Sequence, residues 1–89
     1  MAFSGMADID QLSIQGSDGT VRGALNVWSS RNGPPAYNQW QSAYFYLTRS
    51  IVQFGLTDPE AMPGESLSDR QTRLRAWYDE DMTEMYGPD

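Results

Sequence analysis

The sequence predicts a mainly α fold, a small bundle of about three helices joined by Pro/Gly-rich loops, and three observations carry that prediction. Tyr37, Trp40, Tyr44, Leu47, Ile51 and Phe54 recur at alternating gaps of three and four residues, the spacing of one face of an α-helix. Breakers at Asn32-Gly33-Pro34-Pro35, Gly55, Thr57-Asp58-Pro59, Pro63-Gly64 and Gly87-Pro88 divide the chain into helix-length segments. With 89 residues and no cysteine, the chain is expected to be a single domain, 1–89, held by side-chain packing and not by disulfides.

Residues 1–16 read as an irregular segment, with Phe3, Met6, Ile9 and Leu12 available to pin it onto the bundle. The first helix is expected from about Gly19 to Arg31, capped by Ser17 or Asp18, with Val21, Ala24, Leu25 and Trp28 on one face. Gly23 stands inside it at a cost of about 1 kcal/mol relative to alanine. Leu12, Ile14, Val21, Leu25 and Val27 also alternate as strands would, so the alternative is an α+β fold with an N-terminal β-hairpin around Gly16–Gly19.

The second helix, about Ala36 to Phe54, is the central one, because Ala43, Phe45 and Val52 widen its apolar arc beyond what one neighbouring helix covers. Gly55 follows where a left-handed C-terminal cap is expected. Pro59 can open a short turn reaching Met62. The third helix is placed at about 68–86, opened by a Ser68-x-x-Gln71 capping box with Ser66 as the competing cap. Leu67, Leu74, Tyr78, Met82 and Met85 share its core-facing side.

Composition narrows the function classes. The chain has six arginines but no lysine, histidine or cysteine, so the usual proton-transfer, nucleophilic and transition-metal groups are missing. Only carboxylates and hydroxyls remain for chemistry, and the serines have no base beside them; the chain reads as a non-enzyme with no cofactor and no metal site. In the Asp79-Glu80-Asp81-x-x-Glu84 run only Glu80 and Glu84 share a helical face, a poor cation site without further oxygen ligands. A net charge of −6 argues against direct nucleic-acid binding and against anionic membrane surfaces. Neither a signal peptide nor an apolar membrane span is visible, so the expected location is the cytoplasm or a virion.

Two constellations point to a protein partner or to self-association. The polar face of the central helix (Asn38, Gln39, Ser42, Tyr46, Arg49, Ser50, Gln53) carries one charge and a tyrosine at its middle, a composition nearer to an interface than to a solvated face. The third helix places Arg70, Arg73 and Arg75 early and Asp79, Glu80, Asp81 and Glu84 late, against the helix dipole, with Asp69–Arg73 and Arg75–Asp79 as compensating pairs. Tyr46, Arg49, Gln53, Arg70, Arg73 and Trp77 are therefore the expected partner-binding residues. The function expected is that of a non-catalytic interaction or assembly subunit, such as a small structural or adaptor component of a phage particle or another larger complex. The alternative is an acidic inhibitor that engages a nucleic-acid-handling protein through Asp79, Glu80, Asp81 and Glu84. Arginine in place of every lysine suits a G+C-rich bacterial or bacteriophage genome.

Overall fold

A computed structural model of the chain describes residues 17–53 and 55–87. Three helices follow one another: α1 (Val21–Asn32), α2 (Tyr37–Gln53) and α3 (Leu67–Tyr86). The fold is a small three-helix bundle, with no strand among the described residues. This overturns the β-hairpin alternative, since Val21, Leu25 and Val27 lie within α1. Strand alternation would have turned Trp28 and Ala24 away from Val21 and Leu25, whereas the helix buries all four together. The expected pinning by Phe3, Met6, Ile9 and Leu12 lies outside the described residues.

The start of α1 differs from expectation. Its N-cap is Thr20, whose hydroxyl accepts from the Gly23 amide at 2.8 Å. Asp18 serves the cap instead of being it, because its Oδ1 accepts from the Thr20 amide at 3.1 Å and from the Thr20 hydroxyl at 2.5 Å. These bonds favour the ionised carboxylate and hold Asp18 below the usual carboxylate pKa range. The arrangement also explains the helix-interior glycine. A Cβ at position 23 would collide with Asp18 Oδ1 and press on the Thr20 hydroxyl, so the absence of a side chain there makes room for the cap.

In α2 the predicted stripe is the buried one: Trp40, Ala43, Tyr44, Leu47 and Ile51 face the core. The helix ends as its sequence suggests. Gly55 has φ +72°, and the amides of Gly55 and Leu56 close on the carbonyls of Val52 (3.1 Å) and Ile51 (2.9 Å). In the connection to α3, Asp58 organises one turn, its carbonyl accepting from Ala61 N at 3.0 Å and its Oδ1 from Glu60 N at 3.0 Å.

The N-cap of α3 is Ser66 and not Ser68, with the Ser66 hydroxyl accepting from Asp69 N at 3.1 Å. Starting the helix two residues earlier places Leu67 in its first turn, where it is 65% exposed and does not join the core as expected. The core consists of Val21, Ala24, Leu25 and Trp28 from α1, the α2 stripe, and Leu74 from α3, with Tyr37, Phe45, Leu56, Trp77, Tyr78 and Met82 packed around it. Two tyrosine hydroxyls tie α3 back to the rest: Tyr78 donates to the Pro35 carbonyl and Tyr86 to the Ser29 carbonyl, each at 2.6 Å. Burial pushes the Tyr86 hydroxyl pKa up.

Candidate functional site

The six expected partner-binding residues fall into two groups on different helices. Tyr46, Arg49 and Gln53 are exposed on α2, while Arg70, Arg73 and Trp77 of α3 are partly buried. Tyr44 marks the division: its ring meets Trp77 edge-on with centroids 6.4 Å apart, and two residues of helix turn Tyr46 about 160° away from it.

The α3 group belongs to an arginine–tryptophan–arginine stack. The Arg73 guanidinium lies 4.3 Å from the Trp77 ring centroid and that of Arg22, from α1, lies at 5.0 Å. Each such contact contributes about 0.5 to 2 kcal/mol, more where water is excluded. Both arginines are held from behind by carboxylates. Arg73 donates from Nε (2.8 Å) and Nη2 (2.7 Å) to the two oxygens of Glu65, and Arg70 Nε lies 3.5 Å from the same carboxylate. The expected Asp69–Arg73 pair is thus replaced by Glu65–Arg73, since Glu65, just before the cap, offers both oxygens to the guanidinium fork. The expected Arg75–Asp79 pair is present at 3.3 Å.

Arg22 makes the larger network. Its Nε reaches Asp81 Oδ2 at 2.9 Å and its Nη2 reaches Asp81 Oδ1 at 2.8 Å; Nη2 also bonds Glu80, and Nη1 lies 4.0 Å from Glu60. The hydrogen bonds that Arg22 donates to Asp81 raise its pKa above the ordinary value despite burial, and those that Arg73 donates to Glu65 do the same for Arg73. Glu65 is correspondingly held below the usual glutamate range by Arg73. Glu60 moves the other way, because burial raises its pKa more than Arg22 lowers it. The acidic run of α3 is therefore largely engaged within the chain, and the arginine patch at its start has its charge partly answered by Glu65.

Reasoning from sequence missed Arg22 and Glu65 and placed Asp81 among surface acids. A signal for Asp81 was available. It follows Leu74 by seven residues, within about 20° on a helical wheel, which puts a carboxylate on the core-facing side of α3.

The α2 face is different in character. Asn38, Ser42, Tyr46, Arg49, Val52 and Gln53 are all exposed and form one stripe, and Arg49 is its sole charge. Val52 is 74% exposed and Tyr46 37%. No other described segment covers this stripe. Arg49 has no ion pair among the described residues.

A groove between α2 and α3 runs past Tyr37, Gln41, Gln71 and Arg75, and Asp79 is the one carboxylate lining it. Arg75 stacks over the Tyr37 ring there, 4.8 Å from the centroid. A second ionisable acid for general acid and base work does not line the groove. Among the described residues, no group of three or more acidic, histidine or cysteine side chains is placed to hold a metal ion, and no helix is long and apolar enough to cross a membrane. No protein-family model, curated protein or solved structure matches the chain.

Proposed function

We propose that this protein is a non-catalytic interaction or assembly subunit that binds a protein partner, or a second copy of itself, through the outer face of α2. The observation that carries the proposal is the exposed stripe of Tyr46, Arg49, Val52 and Gln53, in which a large aromatic and a 74% exposed valine stand beside one arginine that has no carboxylate partner among the described residues. Solvated helix faces in this same chain look otherwise, as α3 shows with Asp69, Asp79, Glu80 and Glu84 exposed along it. Interfaces are enriched in tyrosine and arginine and depleted in acids and lysine, and Val52 supplies apolar area whose exposure otherwise costs free energy.

Arg70, Arg73 and Trp77 have less claim to the partner surface than the sequence suggested, since Glu65 holds the Nε edge of the Arg73 guanidinium and the Trp77 ring covers one of its faces. The acidic-inhibitor reading has less support for the same reason: Asp81 and Glu80 close on Arg22 and Asp79 on Arg75. A phage particle is one setting for such a subunit, suggested by chain length and arginine usage alone.

The test is affinity capture from the native source with the wild-type chain and with Tyr46→Ala/Val52→Asp, together with light scattering of both. A specific partner, or self-association, retained at high salt and lost in the double variant supports the proposal. Identical behaviour of the two folded proteins contradicts it.

A further inference from the structure

α2 holds no acidic residue, although the chain as a whole carries a net charge of −6. On its outer face Ser42, Tyr46, Arg49 and Gln53, all exposed, follow one another at gaps of four, three and four, the spacing of a seam along which two helices pair. Arg22 and Arg73 lie over the Trp77 ring, and Arg75 over Tyr37 and Tyr78. Arg49 has no such ring and no carboxylate among the described residues, and Tyr46 has neither a cation nor a second ring against it.

The order of these residues decides what the seam can pair with. Two copies laid parallel set Arg49 against Arg49, a like-charge contact. Laid antiparallel about a twofold axis between positions 46 and 49, each Arg49 faces the Tyr46 ring of the other copy, and each Ser42 hydroxyl faces the other's Gln53 amide. Residue i then meets residue j as j meets i, the condition for a closed symmetric dimer. Charge favours this face for the purpose. A second chain of charge −6 approaches α2 without setting carboxylate against carboxylate, whereas α3 exposes Asp69, Asp79, Glu80 and Glu84. We propose, resting on the reading of the α2 face as a binding surface, that its occupant is a second copy of this chain, packed antiparallel with Arg49 over the other copy's Tyr46. From Ser42 to Gln53 the seam spans about 16 Å at about 1.5 Å per residue, shorter than a stable interface needs, so the dimer is a weak one.

Sedimentation equilibrium of the full chain from about 10 μM to about 1 mM covers the range of a weak dimer. A concentration-dependent dimer is expected, weakened roughly tenfold by Arg49→Gln, which removes one cation–ring contact from each half. The chain has no cysteine, so introduced thiols report the register without background. In a glutathione redox buffer, Ser42→Cys mixed with Gln53→Cys should form the 42–53 disulfide in preference to the 42–42 and 53–53 species. Preference for 42–42 and 53–53 would show a parallel pair, and a dimer with no preferred disulfide would place the association on another surface; either overturns the proposal. A wild-type chain that stays monomeric to the highest concentration overturns it as well. The two failures are distinguishable: a monomeric chain whose captured protein partner is lost in Tyr46→Ala/Val52→Asp keeps the α2 face as a binding surface and rejects only the second copy.

Discussion

Arg22 and Asp81, separated by 59 positions in the chain, meet in a bidentate ion pair that joins the first helix to the last. Asp81 is only 6% exposed. Removing one member of a buried pair leaves the other charge uncompensated and typically costs about 3 to 5 kcal/mol. Arg22 keeps Glu80, so Asp81→Ala is expected near the lower end, about 3 kcal/mol by urea unfolding. The double variant Arg22→Met/Asp81→Leu should recover to within about 1 kcal/mol of wild type, because replacing both charges with apolar groups removes the desolvation penalty as well. A double variant no more stable than Asp81→Ala would show that the pair contributes through the rest of the Trp77 stack.

Gly23→Ala escapes the ordinary rule of helix propensity. Alanine gains about 1 kcal/mol over glycine in an exposed helix interior. Here the added methyl displaces Asp18 from Thr20 and weakens the cap of α1. The lost cap bonds, about 1 kcal/mol, offset that gain, so thermal unfolding is expected to show no net stabilisation. In an Asp18→Ala background the same substitution should become stabilising. A stabilised Gly23→Ala in the wild-type background is the contrary result.

The assignment of the α3 cap separates two neighbouring serines. Ser66→Ala should cost about 1 kcal/mol, since it removes the acceptor for the Asp69 amide, while Ser68→Ala should change stability by less than about 0.5 kcal/mol. Equal effects in denaturant unfolding would argue against Ser66 as the cap.

Acid should weaken the fold. Glu65 and Asp18 have folded pKa values depressed below their unfolded ones, so their contributions are present above about pH 4 to 5 and are lost as pH falls through the folded values. Glu60 has the opposite sign, with a raised folded pKa: its contribution is present below about pH 4.3 and lost as pH rises through the folded value. Glu60→Gln should therefore raise the melting temperature at pH 7 and leave it nearly unchanged at pH 3. Melting curves between pH 3 and 7 check both signs, and a lowered melting temperature of Glu60→Gln at pH 7 would reverse the second.

The helices were legible because α2 declares itself: Trp40, Tyr44, Leu47 and Ile51 leave no other period, and Gly55 marks its end. Cap identities were less so. Ser17, Asp18 and Thr20 are all capping residues within four positions, and only the bond from Thr20 to Asp18 shows which leads and which supports. In α3 the stripe is thin, with Leu74 buried and Trp77, Tyr78 and Met82 half-buried, so the register did not separate Ser66 from Ser68. The ion networks escaped because they join distant positions. Nothing local pairs Arg22 with Asp81, whereas Arg75 and Asp79, four residues apart on one helix, were paired from spacing alone. For the α2 face, residue types named the candidate stripe, and its exposure needed the structure.

The outer face of α2 is the surface proposed to meet a partner. A photoreactive amino acid placed at Val52, whose exposure makes the substitution tolerable, tests it most directly, with the same group at Glu84 on the acidic end of α3 as the comparison. A discrete crosslinked species is expected from position 52, to one protein or to a second copy of the chain, and none from position 84. Crosslinks from position 84 with none from position 52 would contradict it and move the interaction to the acidic end of α3.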